Sequence, residues 1–170
     1  MILIRNKKYI ILLTTVILGL FPIMQATPQT VPIIEVHELQ DYLHPKDDSI
    51  HVINFWATWC KPCVEELPHF EKLNSQYKKQ GVNVMLVSLD FKSQYATKVL
   101  PFVENHHLRS KVVLLDTKGK NDFIDQINPQ WSGTIPATLI TQKGKPAIFL
   151  EKQLTYQDLE SIIKPLIINP

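Results

Sequence analysis

Two cysteines, Cys60 and Cys63, stand three positions apart in the stretch Trp56-Ala57-Thr58-Trp59-Cys60-Lys61-Pro62-Cys63, and the chain has no others. A structural disulfide stabilises most when it closes a long loop, so a bridge around two residues would constrain the unfolded chain very little. The spacing suits exchange chemistry: one sulfur attacks a partner disulfide, and the second resolves the mixed disulfide that forms. That chemistry needs a thiolate. The apolar run Val52-Ile53-Asn54-Phe55-Trp56 precedes the pair, and Val64, Leu67, Phe70, Leu73 and Tyr77 follow it at helical spacing. Cys60 therefore falls just before a helix, where unpaired N–H groups and the helix dipole lower its pKa below the roughly 8.5 of a free thiol. Cys60 is the expected nucleophile, and Cys63, inside the first turn with less access to solvent, the expected resolving thiol. Pro62 suits an early helical position, where its missing N–H is not needed. Lys61 has two readings, a charge that stabilises the Cys60 thiolate or a solvated lysine without a role.

Glu66 lies three residues beyond Cys63 on the same helical face, whereas Glu65, two beyond, points elsewhere. A carboxylate beside the pair disfavours a second negative charge, raises a thiol pKa and can exchange a proton with Cys63 during resolution. The simpler reading is an acidic residue that complements the helix N-terminus; it stands as an alternative for Glu66 and as the preferred one for Glu65. Metal binding is the main rival use of the sulfurs. A structural zinc site needs four protein ligands, and no second cysteine pair exists. His69, His106 and His107 are further possible ligands, and soft copper(I) can be held by two sulfurs alone, as in an exported copper-binding or metallochaperone protein. The histidines themselves read as a surface residue of the long helix (His69) and the end of the next one (His106, His107). A peroxidase would not require a second cysteine at this spacing.

The elements that must position the pair can be read from periodicity. Val36, Leu39, Tyr42 and Leu43 predict a short helix ending before Pro45, and residues 52–56, apolar without alternation, a strand buried on both faces. The helix after the pair runs from Pro62 to Lys79, is kinked by Pro68 and stops at Gly81, suited to a helix C-cap. A second strand follows over 82–89, then helical spacing over 94–107 that Pro101 kinks or breaks, a third strand over 112–115, and a short helix over 121–127. Ala137–Thr141 and Ala147–Gln153 predict an antiparallel hairpin. Thr155 and Asp158 open a last helix as a capping box. Strands alternating with helices, then a hairpin and helix, predict a three-layer α/β fold with a mixed sheet.

The chain has 170 residues, 45% apolar and 20% charged, with formal charge +2, which fits one packed domain and excludes a disordered or collagen-like chain. The positive balance is local. Arg5, Lys7 and Lys8 precede an apolar run from Tyr9 to Phe21, and no acidic residue occurs before Glu35. This is the order of a secretory signal, so residues 1–26 are expected to be a signal peptide or, if uncleaved, an N-terminal membrane anchor; a buried helix is the third reading. No cysteine follows the run, which excludes a lipidated one. Residues 27–32 read as a linker and 33–170 as the working domain. Without residues 1–26 the balance is 15 basic against 16 acidic residues, or −1, so nucleic-acid binding loses its electrostatic warrant.

The segment from Phe55 to Pro68 resembles the active-site segment of the thioredoxin superfamily, specifically the exported TlpA/ResA type, whose pattern W-C-x-P-C, then Glu three residues on, then Pro, is met in full. The resemblance implies a thioredoxin fold with a TlpA-like insertion after the first βα unit. It also implies a cis peptide before Pro136 within Trp131–Thr138, facing the dithiol, with Ile135 offering backbone groups to substrate. Trp59 would cover the site and Trp56 pack beneath it. Asn54 stands where cytosolic thioredoxins usually hold a buried Asp, which leaves Glu66 as the nearby carboxylate. The implied activity is thiol-disulfide exchange outside the cytoplasm, in the periplasm, by a soluble or N-terminally membrane-anchored protein with no cofactor beyond the cysteine pair. Lys61-Pro62 resembles the dipeptide of the reducing members, so the expected direction is reduction of protein disulfides, those of apocytochrome c among them, with a membrane thiol transporter as electron donor.

Overall fold

A computed structural model describes residues 30–168; the predicted signal or anchor at residues 1–26 lies outside them. Six strands form one sheet: β1 (Ile33–Ile34), β2 (Ile50–Trp56), β3 (Val82–Ser88), β4 (Lys111–Leu115), β5 (Ala137–Thr141) and β6 (Ile148–Leu150). Their spatial order is β1-β4-β3-β2-β5-β6, with β1 to β4 mutually parallel and β5 and β6 antiparallel additions. The helices are α1 (Gln40–Leu43), α2 (Lys61–Tyr77), α3 (Leu100–Asn105), α4 (Phe123–Ile127) and α5 (Tyr156–Ile168).

The predicted three layers are present, and the central strands show why. β2 alternates its two apolar sets between separate cores. Val52 and Trp56 face Leu67, Phe70 and Leu73 of α2 and Leu159 and Ile163 of α5. Ile53 and Phe55 face Leu39, Phe123 and Trp131 on the other side. A strand buried on both faces needs no polar alternation, hence the continuous run in the sequence. Asn54 shares the face of Val52 and Trp56, so the one polar side chain of that run points toward α2.

Local chemistry sets the boundaries. After α2 a short 3-10 turn leads to Gly81, whose φ of 83° is the left-handed geometry that ends helices. At the start of α5, Thr155 N–H donates to Asp158 Oδ2 (2.9 Å) and Asp158 N–H to Thr155 Oγ1 (3.2 Å), the reciprocal pair expected of a capping box. The helical stretch around Pro101 is broken: a π-helical turn, Tyr95–Val99, changes to α-geometry at Leu100, so Pro101 occupies a first turn where its missing N–H costs nothing.

Two expectations shift. The end of the predicted linker belongs to the domain: Val31 is buried, and the Pro32 carbonyl accepts Leu114 N–H at 2.9 Å, leading into edge strand β1. The second hairpin strand covers only Ile148–Leu150 of the predicted 147–153, because from Glu151 onward the chain turns to serve the site described next.

Candidate active site

The loops after β2 and β3 and the loop before β5 meet at one edge of the sheet, because β5 runs against its neighbour and starts where β2 ends, with Phe55 opposite Ala137. Cys60 caps α2 in an extended conformation, and its Sγ accepts the N–H of Cys63 at 3.3 Å. The helix thus directs a backbone donor at the outer sulfur, the arrangement that favours a thiolate there. Cys60 and Cys63 are disulfide-bonded. Cys60 keeps 6% of its surface in solvent and Cys63 none, so an incoming sulfur meets Cys60 first. The Ile135–Pro136 peptide is cis, as the resemblance implied, and the Ile135 carbonyl oxygen lies 3.8 Å from Cys60 Sγ.

Behind the pair, Glu66 is fully buried. Asn54 Nδ2 donates to its Oε1 at 2.7 Å, and the Leu154 N–H donates to its Oε2 at 2.8 Å. Burial pushes the carboxyl pKa up to about 7, against the lowering effect of those two donors. A group that titrates near neutrality can both take and return a proton. Asn54 is itself held by the β5 strand, donating to Thr138 Oγ1 at 3.2 Å.

The outer side is different. Trp59 is 62% exposed beside Cys60, while Trp56 is fully buried and packs on Phe102 with ring centroids 5.1 Å apart. Lys61 pairs with Glu65 at 3.8 Å, and both side chains are largely in solvent. The structure therefore gives Lys61 a surface carboxylate as partner, in keeping with its simpler reading, and places Pro62 within the first turn of α2.

Two anchors of the site escaped sequence reasoning. Asp90, buried at the end of β3, accepts Thr58 N–H (2.9 Å), Thr58 Oγ1–H (2.6 Å) and Ser88 Oγ–H (2.8 Å), fixing the turn that presents Trp59 and Cys60. Glu151 accepts Ser132 N–H (3.2 Å), Thr134 N–H (3.0 Å) and the Ser132 hydroxyl. These hydrogen bonds, the Ser132 hydroxyl foremost, hold its carboxyl below the usual range and tie down the loop before Pro136. An acidic residue directly after an apolar strand was the signal available for Asp90; nothing local marks Glu151.

The rival ligands do not converge on the sulfurs. His106 ends α3, its ring stacked on Phe102 at 3.8 Å, and His107 follows with a φ of 50°. Among the described residues no group of three or more His, Cys, Asp or Glu side chains is placed to hold a metal ion.

Comparison with known proteins agrees with this geometry. The AhpC/TSA family model matches residues 23–145. The chain is 32% identical over 126 residues to the thiol-disulfide oxidoreductase ResA of Geobacillus kaustophilus, covering 73% of this chain and 64% of that protein. It is 31% identical over 132 residues to ResA of Geobacillus thermodenitrificans, covering 76% and 68%. The chain thus spans about two thirds of the length of these relatives. The crystal structure of StoA from Bacillus subtilis shares the fold, with a TM-score of 0.55 at 23% identity over 69% of this chain and 84% of that one. With a matching family model, ResA relatives and a paired CxxC at the head of α2, the chain belongs to the AhpC/TSA family of the thioredoxin superfamily, on the ResA-like branch.

Proposed function

We propose that this chain is an extracytoplasmic thiol-disulfide oxidoreductase that reduces protein disulfides. The observation that carries the reading is the cysteine pair at a helix N-terminus, its outer sulfur just reaching solvent, with a buried carboxylate, titrating near 7, on the same helix behind it. The names of the ResA relatives support the thiol-disulfide oxidoreductase part of this reading. In the reducing direction, the Cys60 thiolate attacks one sulfur of the substrate disulfide and the other substrate sulfur leaves as a thiolate. Glu66 then takes the proton of Cys63, whose thiolate attacks Cys60 Sγ and expels the first substrate sulfur. Two electrons pass from the protein dithiol to the substrate, and no further cofactor takes part. Trp59 and the Ile135-Pro136 backbone flank the substrate chain, and Lys61-Pro62 tunes the potential of the pair.

The charge order of residues 1–26 supports export, as a signal peptide or as a membrane anchor. Among the described residues no helix is long and apolar enough to cross a membrane. A reductase in an oxidising compartment draws its electrons from a membrane thiol transporter, and exported proteins such as apocytochrome c are its substrate class.

Equilibrating the Cys60–Cys63 couple against glutathione tests the direction. The expected potential lies toward the reducing end of the range of about −120 to −270 mV spanned by thioredoxin-fold pairs; a value near the oxidising end overturns the reductase reading. Cys63→Ala in the native host is expected to trap substrates on Cys60 as mixed disulfides. Bound copper(I) with no trapped protein would favour metal delivery by the cysteine pair instead.

A further inference from the structure

The segment after β3 forms a wall beside the active-site turn. Thr58 and Trp59 on one side, and Gln94, Lys98, Pro101 and Phe102 on the other, with Asn105 and His106 at the end, enclose a cleft of 380 Å³. Its walls include the exposed Trp59 indole and Phe102, and its described lining residues hold no carboxylate. Lys98 carries the only permanent charge among the described lining residues and has no ion-pair partner there. Gln94 Oε1 is buried without a hydrogen-bond donor. Past His106, which lines both, a second concavity of 660 Å³ continues along α2, lined by the apolar Val64, Leu67, Pro68 and Leu108 and by Lys78, Lys79 and Arg109. Its one carboxylate, Glu71, already accepts the N–H groups of Arg109 and Ser110. This basic trough lies on a domain whose charge from residue 27 onward is −1, so it is a local feature and not a reflection of overall charge.

The position of the trough decides what occupies it. β2 lies between β3 and β5, so the segment after β3 and the Ile135-Pro136 loop flank Cys60 from opposite sides. A substrate chain crossing Cys60 meets the Ile135 carbonyl on one side and the Trp59 cleft on the other. Consecutive Cα atoms are about 3.8 Å apart, so a cleft walled by the neighbour of Cys60 receives side chains within about two residues of the substrate cysteine. We propose that this cleft selects disulfide substrates carrying an acidic side chain within two residues of the reacting cysteine, held by Lys98 between Trp59 and Phe102, with the segment continuing along the basic trough.

This proposal rests on the oxidoreductase reading, and one experiment separates the two. The reduced protein is mixed in single turnover with nine-residue peptides that carry one central cysteine as a glutathione mixed disulfide, flanked by Asp, Ala or Lys. Cys60 attacks the peptide sulfur, glutathione leaves as its thiol, and Cys63 then releases the peptide thiol as the protein disulfide forms. Hydroxyethyl disulfide, too small to reach the cleft, reports the exchange chemistry of the wild type. The expected result is a preference on the order of fivefold for the Asp over the Lys peptide, reversed in Lys98→Glu and diminished in 0.5 M salt, roughly what a partly exposed charge pair delivers. Because each preference is a ratio within one protein sample, partial loss of folded protein cancels. Equal rates for the three peptides, with hydroxyethyl disulfide still reduced, overturn the cleft assignment alone. Failure to reduce any of the four disulfides overturns the oxidoreductase reading and this inference with it. A dimer in sedimentation that Lys98→Glu dissociates would give the cleft to a second copy of this chain and overturn it as well.

Discussion

Glu65 and Glu66 are neighbours in sequence at the head of the same helix, yet they sit in opposite environments. Glu65 turns outward to Lys61 in solvent. Glu66 turns inward, is fully buried, and accepts donors from β2 and from the chain just before α5. A rotation of 100° per residue is enough to take one carboxylate from water into the core, where its charged form loses hydration and its pKa climbs to about 7. The same contrast, in smaller degree, divides the cysteines, with Cys60 just reaching solvent and Cys63 wholly buried beneath it. The outer half of the motif lies toward solvent and the inner half is desolvated, and the helix turn is what separates the two.

The sharpest way to break this division is at the sulfurs. Cys60→Ser is expected to abolish turnover of disulfide substrates entirely. Cys63→Ser retains the first attack and stops at the mixed disulfide, which mass spectrometry of the adduct reads directly. Equal stalling by both variants would end the distinction between outer and inner thiol.

Next in size is the carboxylate pair. Glu66→Gln should slow resolution of a Cys60 mixed disulfide about 100-fold above pH 7, the usual scale for a lost general base, and remove the inflection near pH 7 from the rate profile. Glu65→Gln should stay within about twofold of wild type at every pH. Stopped-flow tryptophan fluorescence on the two variants would expose the comparison as false if both profiles kept, or both lost, that inflection.

Stability gives an independent reading of Glu66. Its pKa is about 7 folded against 4.5 for an unperturbed glutamate, so the folded state binds the proton more tightly. That contribution is complete below the unfolded value and is lost as pH rises through the folded one. The oxidised wild type should therefore lose about 3 kcal/mol between pH 4.5 and pH 8 from this group. Glu66→Gln should flatten that part of the curve, as measured by urea unfolding at the two pH values; an unchanged slope would mean that Glu66 is not the group responsible.

Smaller effects follow from the partners. Asn54→Ala removes a donor from a buried carboxylate, and its cost, about 2 kcal/mol, should be larger at pH 8, where Glu66 is ionised, than at pH 5. A cost independent of pH would mean that Asn54 contributes only packing. Lys61→Ala, which breaks an exposed pair, should change stability by less than about 0.5 kcal/mol.

Much of the site could be read before the fold was known. The pair, its place before a helix, and the faces of Glu65 and Glu66 follow from spacing along one helix, where geometry is set by residues three and four apart. The two-sided burial of β2 and the capping box at Thr155 are equally local. Pro136 was legible only through resemblance, because a proline opening a strand has no distinctive local meaning. Asp90 and Glu151 were not legible. Asp90 reaches Thr58 across 32 residues, and Glu151 reaches Ser132 across 19, through contacts that exist only once the order of β3, β2 and β5 is set.

From the sequence alone come the cysteine pair and its place at the head of a helix, the mixed α/β layout and the location of positive charge in the first 26 residues, because each depends on residue type or on short-range periodicity. The tertiary structure alone decided how far Glu66 is desolvated and what holds it. One of its two donors, Leu154 N–H, comes from 88 residues away, and a backbone group has no sequence signature at all. It also decided that the segment after β3 closes a cleft against Trp59, since that contact arises from parallel strands ending side by side at the same edge of the sheet. Periodicity fixes which face a residue takes; the packing of distant segments fixes what that face meets, and therefore its charge state and its partners.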